Sequence, residues 1–376
     1  MLGFFVNQAG RWSIDGYLEG RARALAGRVE VACYEDLPVR QSPLAVGACI
    51  FSAIDQLTPA GREAASAAWK ALRRAAPDRP LLNDPLRVRR RYDLLRTLHD
   101  EGVNRFAVTR ASEAHRHRGF PAFVREEHRH NGARTGLLSS PLHLARALST
   151  LVVRGYGLVD LLVVEFCDVR DRDGLVRKYS AFRVADRIMP RSINVGRQWE
   201  VKSHSAVHDQ DLIDAERAFL EDNPHQRWLT DVFDLAGIEY GRIDYGVLDG
   251  VPQVWEINTG PTISRGATTG SRTPASREQQ EPNRRLFHAW MAEALASLAD
   301  VRVAPLSLPI SVRTPAGALL TRPDARGWRF RTFDALHRLA DRIPVLGWLR
   351  TRGRPLIERV LPRFRGNERE PNSAGT

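Results

Sequence analysis

Arg242-Ile-Asp244-Tyr-Gly-Val-Leu-Asp249-Gly250 runs directly into Val251-Pro-Gln-Val-Trp-Glu256-Ile-Asn258-Thr-Gly-Pro261, and this stretch decides the fold. Residues 241–247 and 251–257 read as two strands, and the Asp249-Gly250 pair between them signals a tight hairpin. Side chains alternate along a strand, so Glu256 and Asn258 share one face, and pairing across the hairpin brings Asp244 close to both. An ordinary hairpin with a wet side does not gather Asp, Glu and Asn beside strongly apolar neighbours. A compact all-oxygen cluster does, and hard Mg²⁺ ions prefer that coordination. Arg242 shares the face of Asp244 and is placed to reach an oxyanion beside such ions.

With 376 residues and 43% hydrophobic content, the chain is long enough for two or three subdomains with their own cores. No run approaches the eighteen apolar residues of a membrane span; residues 158–166 are short and broken by Asp160. Met1-Leu-Gly-Phe-Phe-Val-Asn reads as a strand rather than a signal peptide, because no basic region precedes its apolar residues. Cys33, Cys49 and Cys167 lack metal-type spacing, which points to free thiols and the cytoplasm. The net charge of +12 is concentrated late: residues 301–376 hold fifteen Arg and six Asp or Glu. No zinc pattern, helix-turn-helix signal or stacking motif accompanies it, so nucleic acid is not the expected partner. Lys70, Lys178 and Lys202 are the only lysines among 56 basic residues, so an Arg can stand where another protein uses Lys.

Residues 2–7, 29–34 and 45–51 read as strands and 59–74 as a helix, a small α/β unit over residues 1–80. Leu81-Leu-Asn83-Asp84-Pro85 reads as a helix start, with Asp84 as N-cap and the helix running to about His99. Strands are expected at 105–108, 122–125 and 159–166, with a helix at 141–152. Further strands at 177–184 and 187–190 and helices at 209–220 and 228–235 lead to the opening hairpin. Residues 278–298 carry apolar side chains at helical spacing. The stretch 264–276 reads as a loop and 366–376 as a polar, disordered end.

R-x-D followed by E-x-N-x-x-P after a hairpin resembles the metal-binding end of the ATP-grasp superfamily, which includes D-alanine–D-alanine ligase, glutathione synthetase and ribosomal-protein glutamate ligases. The resemblance implies a mixed α/β (α+β) chain. Residues 1–80 would form the domain preceding the nucleotide-binding part, and residues 81–300 the ATP-grasp domain. Within the latter, 105–166 would be the mobile lid and 167–300 the metal and catalytic half; 301–376 would be a basic, partly helical extension. It implies that Asp244, Glu256 and Asn258 hold two Mg²⁺ ions (or Mn²⁺), with Glu256 bridging, while Arg242 steadies a transferring phosphoryl group. Arg91 and Arg125 stand at the family's two phosphate-binding lysine slots, a departure that keeps the charge and alters the geometry. Asn131-Gly132-Ala-Arg134-Thr135-Gly136 matches the family's flexible glycine loop, whose amides cradle phosphate. Glu165 and Phe166 match the hinge that receives adenine, with Asp168 toward the ribose. Lys178 matches a basic strand residue facing the phosphates, and Lys202, Arg265 and Arg272 are further basic residues near that end of the chain. The five histidines His115, His117, His128, His130 and His143 read as solvated loop residues rather than a zinc site.

The reaction that the resemblance implies is attack of a small-molecule or peptide carboxylate on the γ-phosphate of ATP. An amine, or less often a thiol, then displaces phosphate from the acyl phosphate. A hydroxyl-directed kinase and a non-catalytic nucleotide-binding module are the other readings, the latter because Arg occupies both lysine slots. Residues 329–343, 344–349 and 356–364 mix apolar side chains with arginines at roughly helical spacing. They would suit contact with an anionic membrane surface or an acidic carrier protein through 324–376, or packing on the core with the arginines in water.

Overall fold

The computed structural model describes residues 1–37, 46–130, 132–201, 210–263, 278–301, 314 and 318–322. Asn131, Lys202, Arg265, Arg272, the loop at 264–276 and the helices expected after residue 323 lie outside the described residues. The chain divides into two units, Met1–Arg322 and Pro323–Thr376.

Three sheets build the first unit. Strands β1 (Leu2–Val6), β2 (Val29–Cys33), β3 (Ala48–Phe51) and β4 (Leu81–Leu82) form a parallel sheet in the order β2-β1-β3-β4. Their residues are almost all buried, as the strands of a sheet covered on both faces must be. Helix α1 (Arg11–Glu19) buries Ile14, Tyr17 and Leu18, and α2 (Pro59–Ala75) buries Ala64, Ala65, Ala68 and Leu72. Thr58 caps α2 by accepting from the Gly61 amide, with Pro59 at the first turn. After α3 (Arg91–Asp100), a small antiparallel sheet orders as β5-β7-β6, from β5 (Val108–Arg110), β6 (Ala122–Glu126) and β7 (Leu161–Glu165). Helix α4 (Pro141–Val153) covers it with Leu144, Leu148 and Leu151.

The largest sheet is antiparallel, β11-β10-β8-β9, from β8 (Val176–Val184), β9 (Arg187–Gly196), β10 (Tyr240–Leu248) and β11 (Val251–Asn258). Helices α5 (Gln210–Asp222), α6 (Gln226–Ala236) and α7 (Glu281–Ala299) pack with it. One apolar cluster joins Leu2, Phe4 and Val6 of β1 to Phe182, Tyr240, Phe287 and Met291, so the parallel sheet and the large sheet share a core. The small sheet has its own core, built around Ala122, Val124, Leu144 and Leu161.

Two sequence expectations about the elements need correcting, and one helix is additional to them. Residues 81–85 do not start a helix. Leu81 and Leu82 are buried and complete the parallel sheet, and Asn83 then turns at φ 65°. The Asp84 carboxylate accepts from the Leu86 amide, closing a single turn, and α3 begins only at Arg91. The strand expected at 105–108 begins at Val108, because Asn104 and the Arg105 amide are occupied with the edge of β11. Helix α1 has no counterpart in the expectations.

Asn83 shows what that turn is for. Fully buried, it donates to Phe51 O (2.9 Å) and Tyr240 O (2.8 Å) and accepts from the amides of Glu239 (2.8 Å) and Tyr240 (2.9 Å). One side chain thereby satisfies backbone groups of both large sheets. Asn83→Ala is expected to destabilise the protein by about 2–4 kcal/mol, since it strands several buried groups at once. Urea unfolding of the variant measures it, and a loss within about 0.5 kcal/mol, the range of an ordinary surface change, would contradict this role.

Candidate active site

The hairpin forms with Asp244 opposite Glu256 and Arg242 opposite Asn258. A bulge leaves Trp255 without a partner between the Tyr245–Val254 and Asp244–Glu256 pairs. Asn104 holds the outer edge of β11 at this point, exchanging hydrogen bonds with both backbone groups of Val254 at 2.9 and 2.8 Å. The two carboxylates are therefore fixed by backbone pairing before any side-chain contact is counted.

Around Asp244, which is 1% exposed, converge Arg242 (Nε–Oδ1 2.9 Å, Nη2–Oδ2 3.0 Å), Lys178 (Nζ–Oδ2 2.7 Å) and the Ser180 hydroxyl (2.8 Å). Lys178 and Ser180 sit two apart on β8, and Ser180 is the register partner of Asp244. Around Glu256 converge Arg91 from α3 (2.7 Å) and Arg125 from β6, both on Oε2, and His130, whose Nδ1 lies 3.7 Å from Oε1. Cations from α3, β6 and β8, together with Arg242 of the hairpin itself, thus meet two carboxylates on one hairpin. Asn258 turns its Oδ1 to the Gly260 amide (2.8 Å), shaping the exit of β11.

Burial by itself raises a carboxyl pKa, and here neighbouring cations overcome it. Arg242 and Lys178 hold Asp244 below its ordinary value, and Arg125, Arg91 and His130 hold Glu256 well below its own. Burial likewise brings Arg91 down to about 10, helped by the adjacent Arg125 and opposed by Glu256. Both terminal nitrogens of Arg91 are engaged with protein groups, while its buried Nε has no partner among the described residues. Its Nη1 donates to the carbonyls of Glu126, Glu127 and Arg129, and its Nη2 contacts His130 and Glu256. It ties the loop after β6 to the hairpin.

Two residues outside the expected set belong to this cluster. Asp55, after β3, pairs with His130 Nε2 at 2.6 Å and accepts from the Thr259 hydroxyl, so the parallel sheet contributes a carboxylate. Burial lowers the His130 pKa, and Asp55 with Glu256 more than reverses it. Of the five histidines expected to be solvated, His115 and His143 are exposed, as expected, whereas the other three are partly or fully enclosed. His117 and His128 are buried, and burial takes His128 down to about 4. His128 lies against the distant Asp55 carbonyl and its neighbour Glu127, and His117 turns Nε2 back to Gly119 O, contacts that loop composition does not reveal.

The remaining expected residues lie on the small sheet and its loops. Gly132 (φ +83°) follows β6 in a loop that folds back, with Ala133 bridged to Arg125, and Gly136 opens into free space. Glu165 ends β7 and accepts from the Ala107 amide (3.0 Å), while the Phe166 amide donates to Pro121 O (2.8 Å). Asp168 is exposed and paired with Arg170, which holds its pKa low. These groups lie apart from the Asp244–Glu256 cluster, joined to it through β6, where Phe123 and Arg125 share a face.

No family model and no curated protein matches the sequence. Among solved structures, D-alanine–D-alanine ligase from Bacillus anthracis aligns at 14% identity and a TM-score of 0.45, over 79% of this chain and 98% of that one. An ATP-grasp ligase, PsnB, complexed with a minimal precursor aligns at 13% and 0.47, over 80% and 99%. A RimK-domain ATP-grasp protein from Sphaerobacter thermophilus aligns at 13% and 0.40, over 77% and 98%. The chain is similar to ATP-grasp structures. Likeness this distant transfers no residue roles.

The oxygen donors suit a hard divalent ion in kind: two ionised carboxylates opposite one another, with a carboxamide two residues on. Among the described residues no group of three or more His, Cys, Asp and Glu is arranged to hold a metal. The surrounding Arg91, Arg125, Arg242 and Lys178 already supply four positive charges. A metal ion fits this cluster in company with a polyanion that draws some of those cations onto itself.

The depressed Glu256 pKa has a stability consequence. The folded value lies below the ordinary 4.5, so its contribution is complete above about pH 4.5 and is lost as pH falls toward the folded value. Glu256→Gln leaves Arg91 and Arg125 buried without a counter-charge, and is expected to cost about 3 kcal/mol at pH 7. That difference should shrink as pH drops below 4.5, read from urea unfolding across pH. A gap between the two proteins that stays constant down to pH 2 would contradict the assignment.

Proposed function

We propose that this chain is an ATP-dependent ligase that joins a carboxylate, of a small molecule or peptide, to an amine or thiol through an acyl phosphate. The observation that carries the reading is the meeting of Arg125, Lys178 and Arg242 with the ionised pair Asp244 and Glu256 on one hairpin. Attack by an anionic carboxylate on an anionic triphosphate needs dense positive charge held in place beforehand, and this cluster has it.

In this reading Arg125 and Lys178 meet the phosphates, and Arg242 meets the charge that develops on the transferring phosphoryl group and on the tetrahedral centre that forms next. Arg91, engaged with Glu256 and three backbone carbonyls, fixes that carboxylate and the loop after β6. Asp244, Glu256 and Asn258 would hold two Mg²⁺ (or Mn²⁺), which when bound offset the repulsion between the two anions. Gly132 and Gly136 frame the loop on the phosphate side, with Glu165, Phe166 and Asp168 on the base and ribose side. The substrate carboxylate oxygen forms the new bond to the γ-phosphorus as ADP leaves. The amine or thiol then bonds to the acyl carbon, and phosphate leaves with its electron pair. Closure of the small sheet over the cluster would keep water from the acyl phosphate. The free thiols of Cys33, Cys49 and Cys167 fit a reducing compartment, the cytoplasm; among the described residues no helix is long and apolar enough to cross a membrane.

The test is ADP release with Mg-ATP across a panel of carboxylates and amines. Release should require both Mg²⁺ and a carboxylate, and should fall at least about a hundredfold in Asp244→Asn and Glu256→Gln. A stable phosphorylated hydroxyl product formed without any amine would overturn the ligase reading in favour of a kinase. Tight ATP binding without turnover on any substrate would favour a non-catalytic module.

A further inference from the structure

Residues Trp199 and Glu200, three and four positions beyond the end of β9, cross from the large sheet to the small one. Phe123 sits two residues before Arg125 on β6, so the two share a face, opposite the one that Ala122 and Val124 turn into the small sheet's own core. Arg125 reaches Glu256 on the large sheet, so the face that carries Phe123 looks toward the site. Phe166 comes directly after β7, the neighbour of β6. The Trp199 ring lies 5.0 Å from that of Phe123, tilted by 48°, and 5.9 Å from that of Phe166, nearly edge-on at 81°. Both separations fall within the range of attractive aromatic pairs.

Next along the chain, Glu200 Oε1 accepts from the Ala133 amide at 2.8 Å. Gly132 makes this approach possible, because a Cβ there would collide with that same oxygen. A carboxylate therefore rests on a backbone amide of the glycine loop, the kind of donor that also holds phosphate. A flat aromatic ring packs against the two phenyl groups beside it, tilted on one and edge-on to the other. The adjoining residues present the same pair of chemical features as a nucleotide, a flat π-system and an anion.

We propose that Trp199 and Glu200 form an internal plug that competes with nucleotide, Trp199 covering the aromatic face where a base stacks and Glu200 taking the loop amide where a phosphate rests. The inference rests on the nucleotide reading of the site given above. One amide hydrogen cannot serve two anions, and the phosphates repel the Glu200 carboxylate, so nucleotide enters as this pair of residues leaves. The observed affinity is then the intrinsic affinity scaled by the fraction of molecules with the plug out. Nucleotide arrival is thereby coupled to release of Trp199 and Glu200.

The experiment is calorimetric titration of Mg-ATP into the full-length chain, its Glu200→Gln, Trp199→Ala and Trp199→Phe variants, each first checked for folding by circular dichroism. The plug predicts that Glu200→Gln and Trp199→Ala bind ATP roughly five- to tenfold more tightly than the parent, and that Trp199→Phe stays close to it. Unchanged or weaker binding in Glu200→Gln overturns the proposal, and so does weaker binding in a folded Trp199→Ala, which would make Trp199 a base-stacking residue. If Trp199→Ala does not fold, the sign of the Glu200→Gln change decides alone. Failure of every protein, the parent included, to bind ATP overturns the nucleotide reading and the plug together; equal affinities throughout sink only the plug.

Discussion

Two buried carboxylates that must stay charged set the terms for the rest of this structure. Removing an isolated carboxylate from water costs several kcal/mol even after relaxation, so Asp244 and Glu256 are tolerable only with cations against them. Those cations come from far apart in the sequence: Arg91 from α3, Arg125 from β6, Lys178 from β8 and Arg242 from β10. Folding the three sheets into register is therefore the same event as assembling the site. Asp244 finds its cations within the large sheet, but Glu256 cannot be neutralised until α3 and the small sheet dock on the hairpin, and docking leaves buried Arg91 and Arg125 without counter-charges unless Glu256 is present.

Backbone accounting reinforces the arrangement. Asn83 spans the parallel sheet and β10, and Asn104 closes the open edge of β11 opposite its bulge. Both asparagines are buried, and each presents the donor and the acceptor of a peptide group to backbone that has no strand beside it. The hairpin is thus rigid where its carboxylates project. Contact with the small sheet runs through side chains, including Arg91, Arg125, Trp199 and Glu200, which can exchange partners more readily than paired strands can.

How much of this could be read in the sequence depended on range. Period-2 alternation, Asp249-Gly250 and the spacing of Arg242, Asp244, Glu256 and Asn258 are local, and they placed the hairpin and its face. The helices 59–75, 141–153 and 226–236 were legible for the same reason, through apolar periodicity, whereas the Thr58 and Ser140 caps that start the first two emerged from the structure. Residues 81–85 misled because Asp-Pro carries a helix-start pattern whether or not tertiary pairing claims the residues before it; here β3 claimed Leu81 and Leu82. Asp55 and His130 stand 75 positions apart, and no local pattern joins them. The pairing of His130 with the buried Asp55 carboxylate became visible only in three dimensions. Trp199 and Glu200 had no motif at all.

The cation-ringed carboxylates of the hairpin are proposed as a Mg-triphosphate site, and a crystal structure with Mg²⁺ and a non-hydrolysable ATP analogue puts that most directly to the test. The triphosphate is expected between Arg125, Lys178 and Arg242, with metal density at Asp244 and Glu256 and those cations turned from carboxylate to phosphate. An analogue bound elsewhere, with Asp244 and Glu256 still paired to their cations and no metal beside them, would contradict it.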